Sequence, residues 1–265
     1  MRIAEAIAAS GIEAREARLL LSAASGFSGA SLVAHPEREL PGEIRDAFLD
    51  FAARRGRGEP VAYILGRQEF YGLELAVAPP VLIPRPETEL LVQLALGRAP
   101  ATVLELGTGS GAIALAVKRH RPRARVVAVE SSAAALVIAR RNAARYALEL
   151  ELRHGRWFEP VAGERFDVVL ANPPYVAEGD PHLEALRFEP REALVAGPGG
   201  LEAIREIVAG VTSHLVPGGE CFLEHGLGQD AAVRELLASA GLEDVRSWPD
   251  LAGIARVSGG RLKSD

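Results

Sequence analysis

The chain has one cysteine and one methionine among its 265 residues. A disulfide within the chain is therefore impossible, and a reducing compartment, the cytoplasm, is the natural expectation. Cys221 lies in the apolar run Cys221-Phe222-Leu223 and reads as a buried, inert thiol rather than a nucleophile. No apolar run approaches the ~18 residues that a membrane-spanning helix needs. The N-terminus MRIAEAIAAS has an early Arg but no continuous apolar core, so no signal peptide is expected. Basic clusters are scarce as well. Net charge is −5, and the dense basic runs are Arg54-Arg55-Gly56-Arg57, Lys118-Arg119-His120-Arg121 and Arg140-Arg141. The last two suit helix C-termini, where cations complement the dipole. Direct nucleic-acid binding usually needs a basic patch or stripe, and is not expected here.

What is present concentrates in two motifs. Residues 166–171, FDVVLA, form a β-branched apolar run expected as a buried strand. Asn172-Pro173-Pro174-Tyr175 leaves that strand at its carboxyl end, which in an open α/β sheet is where ligands bind. Two prolines hold the backbone extended and remove two N–H donors. The Asn172 amide oxygen and the Pro173 carbonyl can then both accept from one –NH2 group, with the flat face of Tyr175 beside them. A plain strand-ending turn would use the same residues, because Asn-Pro often starts one.

The second motif, VLELGTGSG at 103–111, is followed by AIALAVKRH and reads as strand, glycine-rich turn and helix. The next strand, RVVAVE, ends at Glu130, where a carboxylate can accept from ribose hydroxyls. A nucleoside across the sheet edge follows. A nicotinamide dinucleotide and S-adenosylmethionine both remain open. The broken spacing of the third glycine weighs against the dinucleotide. S-adenosylmethionine has no pyrophosphate to seat, and Glu105 would suit its amino group.

Along the chain, residues 1–68 carry helical periodicity, with Ala4, Ile7 and Ala8 on one face, then Leu19, Leu20 and Leu21, then Ile44, Ala47, Phe48 and Phe51. These stripes are expected as core. Residues 69–86 change to β-type residues broken by Gly72 and Pro79-Pro80, a hairpin-like connector. From 87 to 265 strand and helix alternate, as a doubly wound sheet requires. Strands are predicted near 102–106, 126–130, 149–153, 166–171, 219–224, 244–248 and 254–258. The last two are too close for a helical crossover, so one of them must run antiparallel. A helical module added to such a core most often recognises a macromolecule, and a purely stabilising cap is the bland alternative.

The stretches PVAYILGRQEFYG (60–72), VLIPRPETELLV (81–92), VLELGTGSGAIALA (103–116), ANPPYV (171–176), DPHL (180–183), RFEPREALVAG (187–197) and LEHG (223–226) cover most of the chain from residue 60 onward. In them the chain resembles the N(5)-glutamine methyltransferases of peptide chain release factors. That resemblance implies a Rossmann-like class I methyltransferase fold with a small N-terminal helical domain that contacts the release factor. It implies S-adenosyl-L-methionine as methyl donor and the glutamine of the Gly-Gly-Gln motif of class 1 release factors as acceptor. Cofactor contacts carry over onto Gly107, Thr108, Gly109, Ser110, Gly111, Glu130, Trp157 and Asn172. Substrate contacts fall to Asn172, Pro173, Pro174 and Tyr175, and catalysis to Asn172, Pro173 and Tyr175. The family commonly has Asp where this chain has Glu130, and an acid where it has Arg156, so adenine would lack one acceptor. Arg85, Glu87 and Glu89 in IPRPETE could close over the cofactor or brace the domains, although linker charges are usually just solvated. His182 and His225 have no metal-ligand neighbours in sequence, so no metal is expected. A monomer without membrane or nucleic-acid contact completes the expectation. Rival readings are methylation of a ribosomal-protein glutamine, adenine-N6 methylation of nucleic acid, and a non-catalytic cofactor-binding scaffold.

Overall fold

A computed structural model describes residues 1–264. The chain forms two compact units, the first comprising Met1–Arg67 and the second beginning at Gln68.

The first unit is helical: α1 (Ile3–Ala9), α2 (Ala14–Ser25), α3 (Gly29–Ala34), α4 (Gly42–Gly56) and α5 (Val61–Leu65). Its boundaries are chemical. The Ser28 hydroxyl caps α3 by accepting from Ser31 N at 3.1 Å, and Gly26 ends α2 in the left-handed region. Ile3, Ala6, Leu20, Leu21, Phe48 and Ala52 lie in its core. The expected stripes need correction at four positions: Ala4, Ala8 and Ala47 are exposed, and Leu19 is 52% exposed. One helix face can be buried at a time, and the larger Ile3 and Phe48 take it, with the alanines turned to water.

A two-stranded hairpin follows, β1 (Arg67–Phe70) and β2 (Leu73–Ala76), all but its first residue in the second unit. Tyr71 and Gly72 join the strands with φ of 49° and 73°, the turn whose twist matches a hairpin. Then come α6 (Glu89–Gly97), β3 (Thr102–Leu106), α7 (Ala112–His120), β4 (Arg125–Glu130), α8 (Ala133–Arg145), β5 (Glu151–His154), β6 (Phe166–Ala171), α9 (Glu202–Val211), β7 (Leu215–Glu224), α10 (Asp230–Ser239), β8 (Leu242–Pro249) and β9 (Ala255–Leu262). The sheet order is β5-β4-β3-β6-β7-β9-β8. The first five strands are parallel, and β9 runs antiparallel to both of its neighbours. The close final pair is thus satisfied by inserting β9 between β7 and β8.

Alternate strand residues feed two cores. Val103, Val126, Val168 and Leu170 pack with α6 and α7, whereas Leu104, Leu106, Val127 and Val169 pack with α9 and α10. Both faces are covered, as a parallel sheet needs. Register then aligns the strand ends. Leu106 pairs with Val129 and with Ala171, and Ala171 pairs with Leu223. The next residue on each strand is Gly107, Glu130, Asn172 or Glu224. These four therefore stand in one row at the carboxyl edge.

Asn142 on α8 secures this edge from behind. It is fully buried. Its Oδ1 accepts from Ala76 N at 2.7 Å, and its Nδ2 donates to Ala76 O at 3.0 Å and Ser110 O at 2.9 Å. One side chain thus ties β2 to the glycine-rich turn. Asn142→Ala should lower stability by about 1–3 kcal/mol, because three backbone groups, one buried and two partly buried, lose their partners. Urea unfolding measures this, and a loss under about 0.5 kcal/mol would mean that the clamp is not needed.

Candidate functional site

The order of the strands reverses direction at β3, since β4 lies on one side of it and β6 on the other. A crevice opens at such a switch point. Here it is a cavity of about 360 Å³ lined by the glycine-rich turn, the end of β4, Trp157 and Asn172-Pro173-Pro174. That volume lies in the usual range for small-molecule sites.

Gly107 and Gly109 have φ of 74° and 55°, so the backbone turns where side chains would be strained. Gly107 N and Thr108 N both donate to Val129 O, at 2.9 and 3.1 Å, which holds the turn against β4. Gly107, Thr108, Gly109 and Ser110 line the cavity; Gly111 does not. A β-carbon at Gly111 would stand 3.2 Å from Leu115 and 3.5 Å from Ala139, so this glycine serves the packing of α7 on α8.

Glu130 lines the cavity and is 8% exposed. Its Oε2 accepts from Gly109 N at 2.8 Å and its Oε1 from Ser132 N at 2.8 Å. Ser131 Oγ also donates to Oε1, at 3.4 Å, so the lone pair left for a ligand hydroxyl is on Oε2. Trp157 also lines the cavity, at the strained φ of 44°. Its ring edge comes within 3.7 Å of where a Gly107 β-carbon would sit, so the indole walls off the turn. Arg156 reaches away to Glu206 on α9, with Nη2 to Oε2 at 2.6 Å, and Trp157 Nε1 donates to the same oxygen at 2.9 Å. Glu206 lines the cavity too, so a carboxylate from another element stands beside Arg156 and Trp157.

At the other end, Asn172 Nδ2 donates to Thr88 Oγ1 at 3.1 Å. With its NH2 engaged there, Asn172 has Oδ1 as its remaining acceptor. Pro173 and Pro174 line the cavity beside it. Tyr175 does not; its phenol approaches Glu224 Oε1 at 3.4 Å, and burial pushes its pKa well up. Arg85 lines the cavity and pairs with Glu189, which also accepts from Ile83 N at 3.0 Å. Glu89 accepts from Tyr71 N at 2.8 Å. These are structural partners rather than solvated linker charges.

Thr88, Glu189, Glu206 and Glu224 are site residues that no motif singles out. Thr88, Glu189 and Glu224 lie inside IPRPETE, RFEPREALVAG and LEHG, so the signal is present without a role. Nothing local marks Glu206. His182 is exposed on Asp180, and buried His225 meets Ser258 Oγ at 2.9 Å. Among the described residues no group of three or more His, Cys, Asp or Glu could hold a metal. Cys221 is buried, and desolvation pushes its thiol pKa up.

Glu105 is 1% exposed beneath the turn. Its Oε2 accepts from Thr108 Oγ1 at 2.6 Å and Ala114 N at 2.9 Å. Desolvation pushes its pKa up to about 8 despite these bonds, and Glu130 adds to the rise. The folded state thus holds a proton that the unfolded chain releases near 4.5. The resulting stabilisation is complete below about 4.5, declines as pH rises, and is gone above about 8. Glu105→Gln removes this titration, so its melting temperature should fall less steeply than the wild type's between those limits. Equal slopes in the two proteins would mean that Glu105 is ionised in the fold.

Comparison with known proteins agrees with this geometry. Residues 2–66 match the family described as PrmC N-terminal domain, and residues 86–189 match Methyltransferase small domain. A release factor glutamine methyltransferase from Burkholderia pseudomallei is 50% identical over 272 residues, covering 98% of this chain and 95% of that one. One from Pseudomonas aeruginosa is 49% identical, covering 93% and 91%. Among solved structures, a methyltransferase from Pyrococcus furiosus superposes with a TM-score of 0.58 at 22% identity, over 82% of this chain and 99% of the other. The T. thermophilus 16S rRNA N2 G1207 methyltransferase does so at 0.56 and 22%, over 74% and 50%. These two share the fold. Near-full-length identity of about half the residues says more: the chain belongs to the release factor glutamine methyltransferase family.

Proposed function

We propose that the chain transfers a methyl group from S-adenosyl-L-methionine to N5 of the glutamine in the Gly-Gly-Gln motif of class 1 peptide chain release factors. The names of its relatives point to that substrate. The observation that carries the chemistry is the Asn172–Thr88 bond, which ties up the Asn172 NH2 at the cavity. Asn172 Oδ1 and the Pro173 carbonyl then form an acceptor pair for one planar –NH2.

The residues fit the cofactor. Backbone at Gly107 and Gly109 is bare, Trp157 offers a flat wall, and Glu130 Oε2 has a lone pair for a ribose hydroxyl. With Glu105 holding its proton, four carboxylates line the cavity (Glu130, Glu192, Glu202, Glu206) against two guanidiniums (Arg85, Arg156), which favours a cationic ligand. Glu206 stands in as acceptor for the adenine amino group. When bound, the cofactor supplies an electrophilic methyl group on a sulfonium.

A glutamine amide nitrogen is a poor nucleophile, since its lone pair is delocalised into the carbonyl. The protein's contribution is therefore position and electrostatics. Asn172 Oδ1 and the Pro173 carbonyl accept the two N–H bonds, which raises electron density on nitrogen and aims it. With the cofactor held beside them, the nitrogen so aimed would take the methyl group from sulfur, and its surplus proton would pass to water. Tyr175 braces this corner through its own contact with Glu224 rather than facing the cavity.

Residues 1–68 would recognise the release factor, 69–86 connect, and 87–265 carry the transfer. No described helix is long and apolar enough to cross a membrane. We place the protein in the cytoplasm, as a monomer, where its substrate acts in translation.

Radiolabelled methyl transfer tests the proposal, with release factor, its Gln→Ala variant and a DNA duplex as acceptors. Label on the wild-type factor alone is expected; label on DNA or on the variant would move the activity elsewhere. Asn172→Ala should lower kcat by about 10²–10³-fold with cofactor affinity retained, and intact turnover would remove Asn172 from catalysis. Glu130→Ala should instead weaken cofactor binding by about tenfold or more, the loss expected for hydrogen bonds to a charged group. Calorimetry measures it, and unchanged affinity would contradict the ribose assignment.

A further inference from the structure

Glu224 ends β7, next to Asn172 in the row of strand ends. It is 1% exposed, and its Oε2 is the one buried side-chain N or O among the described residues without a hydrogen-bond partner. Burying a carboxyl with an idle oxygen is costly, so a fold that keeps one usually uses it. Around it stand Tyr175, whose phenol approaches Oε1, together with Thr88, Glu87 and Arg256. Thr88 is 4% exposed. Its hydroxyl is near enough to the Glu224 carboxyl to favour the ionised form, and Glu224 Oε2 has no hydrogen-bond partner in this structure.

Thr88 Oγ1 already accepts from Asn172 Nδ2. A hydroxyl has one proton to give. If that proton goes to Glu224, Thr88 can only accept from Asn172, and the Asn172 NH2 stays on Thr88. If Glu224 cannot take it, the proton can turn to Asn172 Oδ1 and invert the amide. An inverted Asn172 presents donors to an incoming –NH2, which is also a donor. We propose that Glu224 is a positioning residue: acting through the Thr88 hydroxyl, it holds the Asn172 amide with oxygen rather than NH2 toward the substrate. The proposal rests on the acceptor role given to Asn172 above.

Protonation decides whether Glu224 can accept. Desolvation pushes its pKa up to about 7, Glu87 raises it further, and Thr88, Tyr175 and Arg256 pull it down; Arg85 acts on the neighbouring Tyr175. A protonated Glu224 donates to Thr88 instead of accepting. Turnover should therefore rise with pH through about 7.

The chain contains two asparagines, Asn142 and Asn172. In protein labelled with ¹⁵N-asparagine, the Asn172 NH2 signals should shift with pH through the Glu224 titration, while those of buried Asn142 stay fixed. Glu224→Gln should abolish that shift. The amide it introduces can still accept through its oxygen, so kcat of this variant on release factor should stay within about fivefold of wild type and lose the pH step. Glu224→Leu and Thr88→Val should each lower kcat by about 10–100-fold, the scale of a misplaced reacting group. Cofactor affinity should not change, and the double variant should be no worse than either single one. An Asn172 signal that ignores pH, or still titrates in Glu224→Gln, overturns the proposal; so do full turnover in Glu224→Leu and additive losses in the double variant. If the wild type labels no release factor, the acceptor assignment fails instead, and the asparagine titration still decides the role of Glu224.

Discussion

Parallel pairing is the constraint from which the site follows. In a parallel sheet every strand ends at the same edge, and register decides which residues stand side by side there. Here Glu130, Gly107, Asn172 and Glu224 follow directly on paired residues of β4, β3, β6 and β7. At ~4.8 Å between strands, three spacings place Glu130 at one end of this row roughly 14 Å from the buried Glu224 at the other, with Asn172 between them. That span suits a nucleoside with a reactive arm laid along the edge. A slip of β6 by one residue would turn Asn172 to the other face and separate the two halves of the site.

Buried carboxylates recur along this edge, and their surroundings separate them. Glu130 accepts from two backbone N–H groups at the wall of the cavity. Glu105 lies deeper, beneath α7, and desolvation outweighs its two bonds. Glu224 lies between these cases, with one oxygen idle and its pKa near neutrality. The carboxyl at the β4 end of the row is thus braced by backbone donors, and the one at the β7 end has an oxygen left over.

Several supports of the site come from far along the chain. Asn142 joins the hairpin strand β2 to the glycine-rich turn. Glu189 takes Arg85 and the Ile83 amide. Glu206 gathers Arg156 and Trp157 from the opposite wall. A wall built in this way stays rigid because its buried polar groups are held by partners on other elements.

The order of strands and helices was legible because alternation of apolar runs with helical periodicity is local. β3 and β6 fall where their β-branched runs predict, and Tyr71-Gly72 turns the hairpin that the broken β pattern suggested. The N-terminal stripes were less legible: Ala4, Ala8, Ala47 and Leu19 face water, since periodicity marks candidate faces but not which face finds a partner. At the site, the glycine-rich turn, Glu130 and Asn172-Pro173-Pro174 were readable because their chemistry is carried by adjacent residues. Tyr175 and Gly111 were readable as motif members but not in role, for the ring packs toward Glu224 and the glycine toward Ala139. Thr88, Glu206 and Glu224 could not be ranked at all. Their roles exist only as distances between separate strands, helices and loops, and those distances are set by sheet register and helix packing, which depend on residues far apart in the chain.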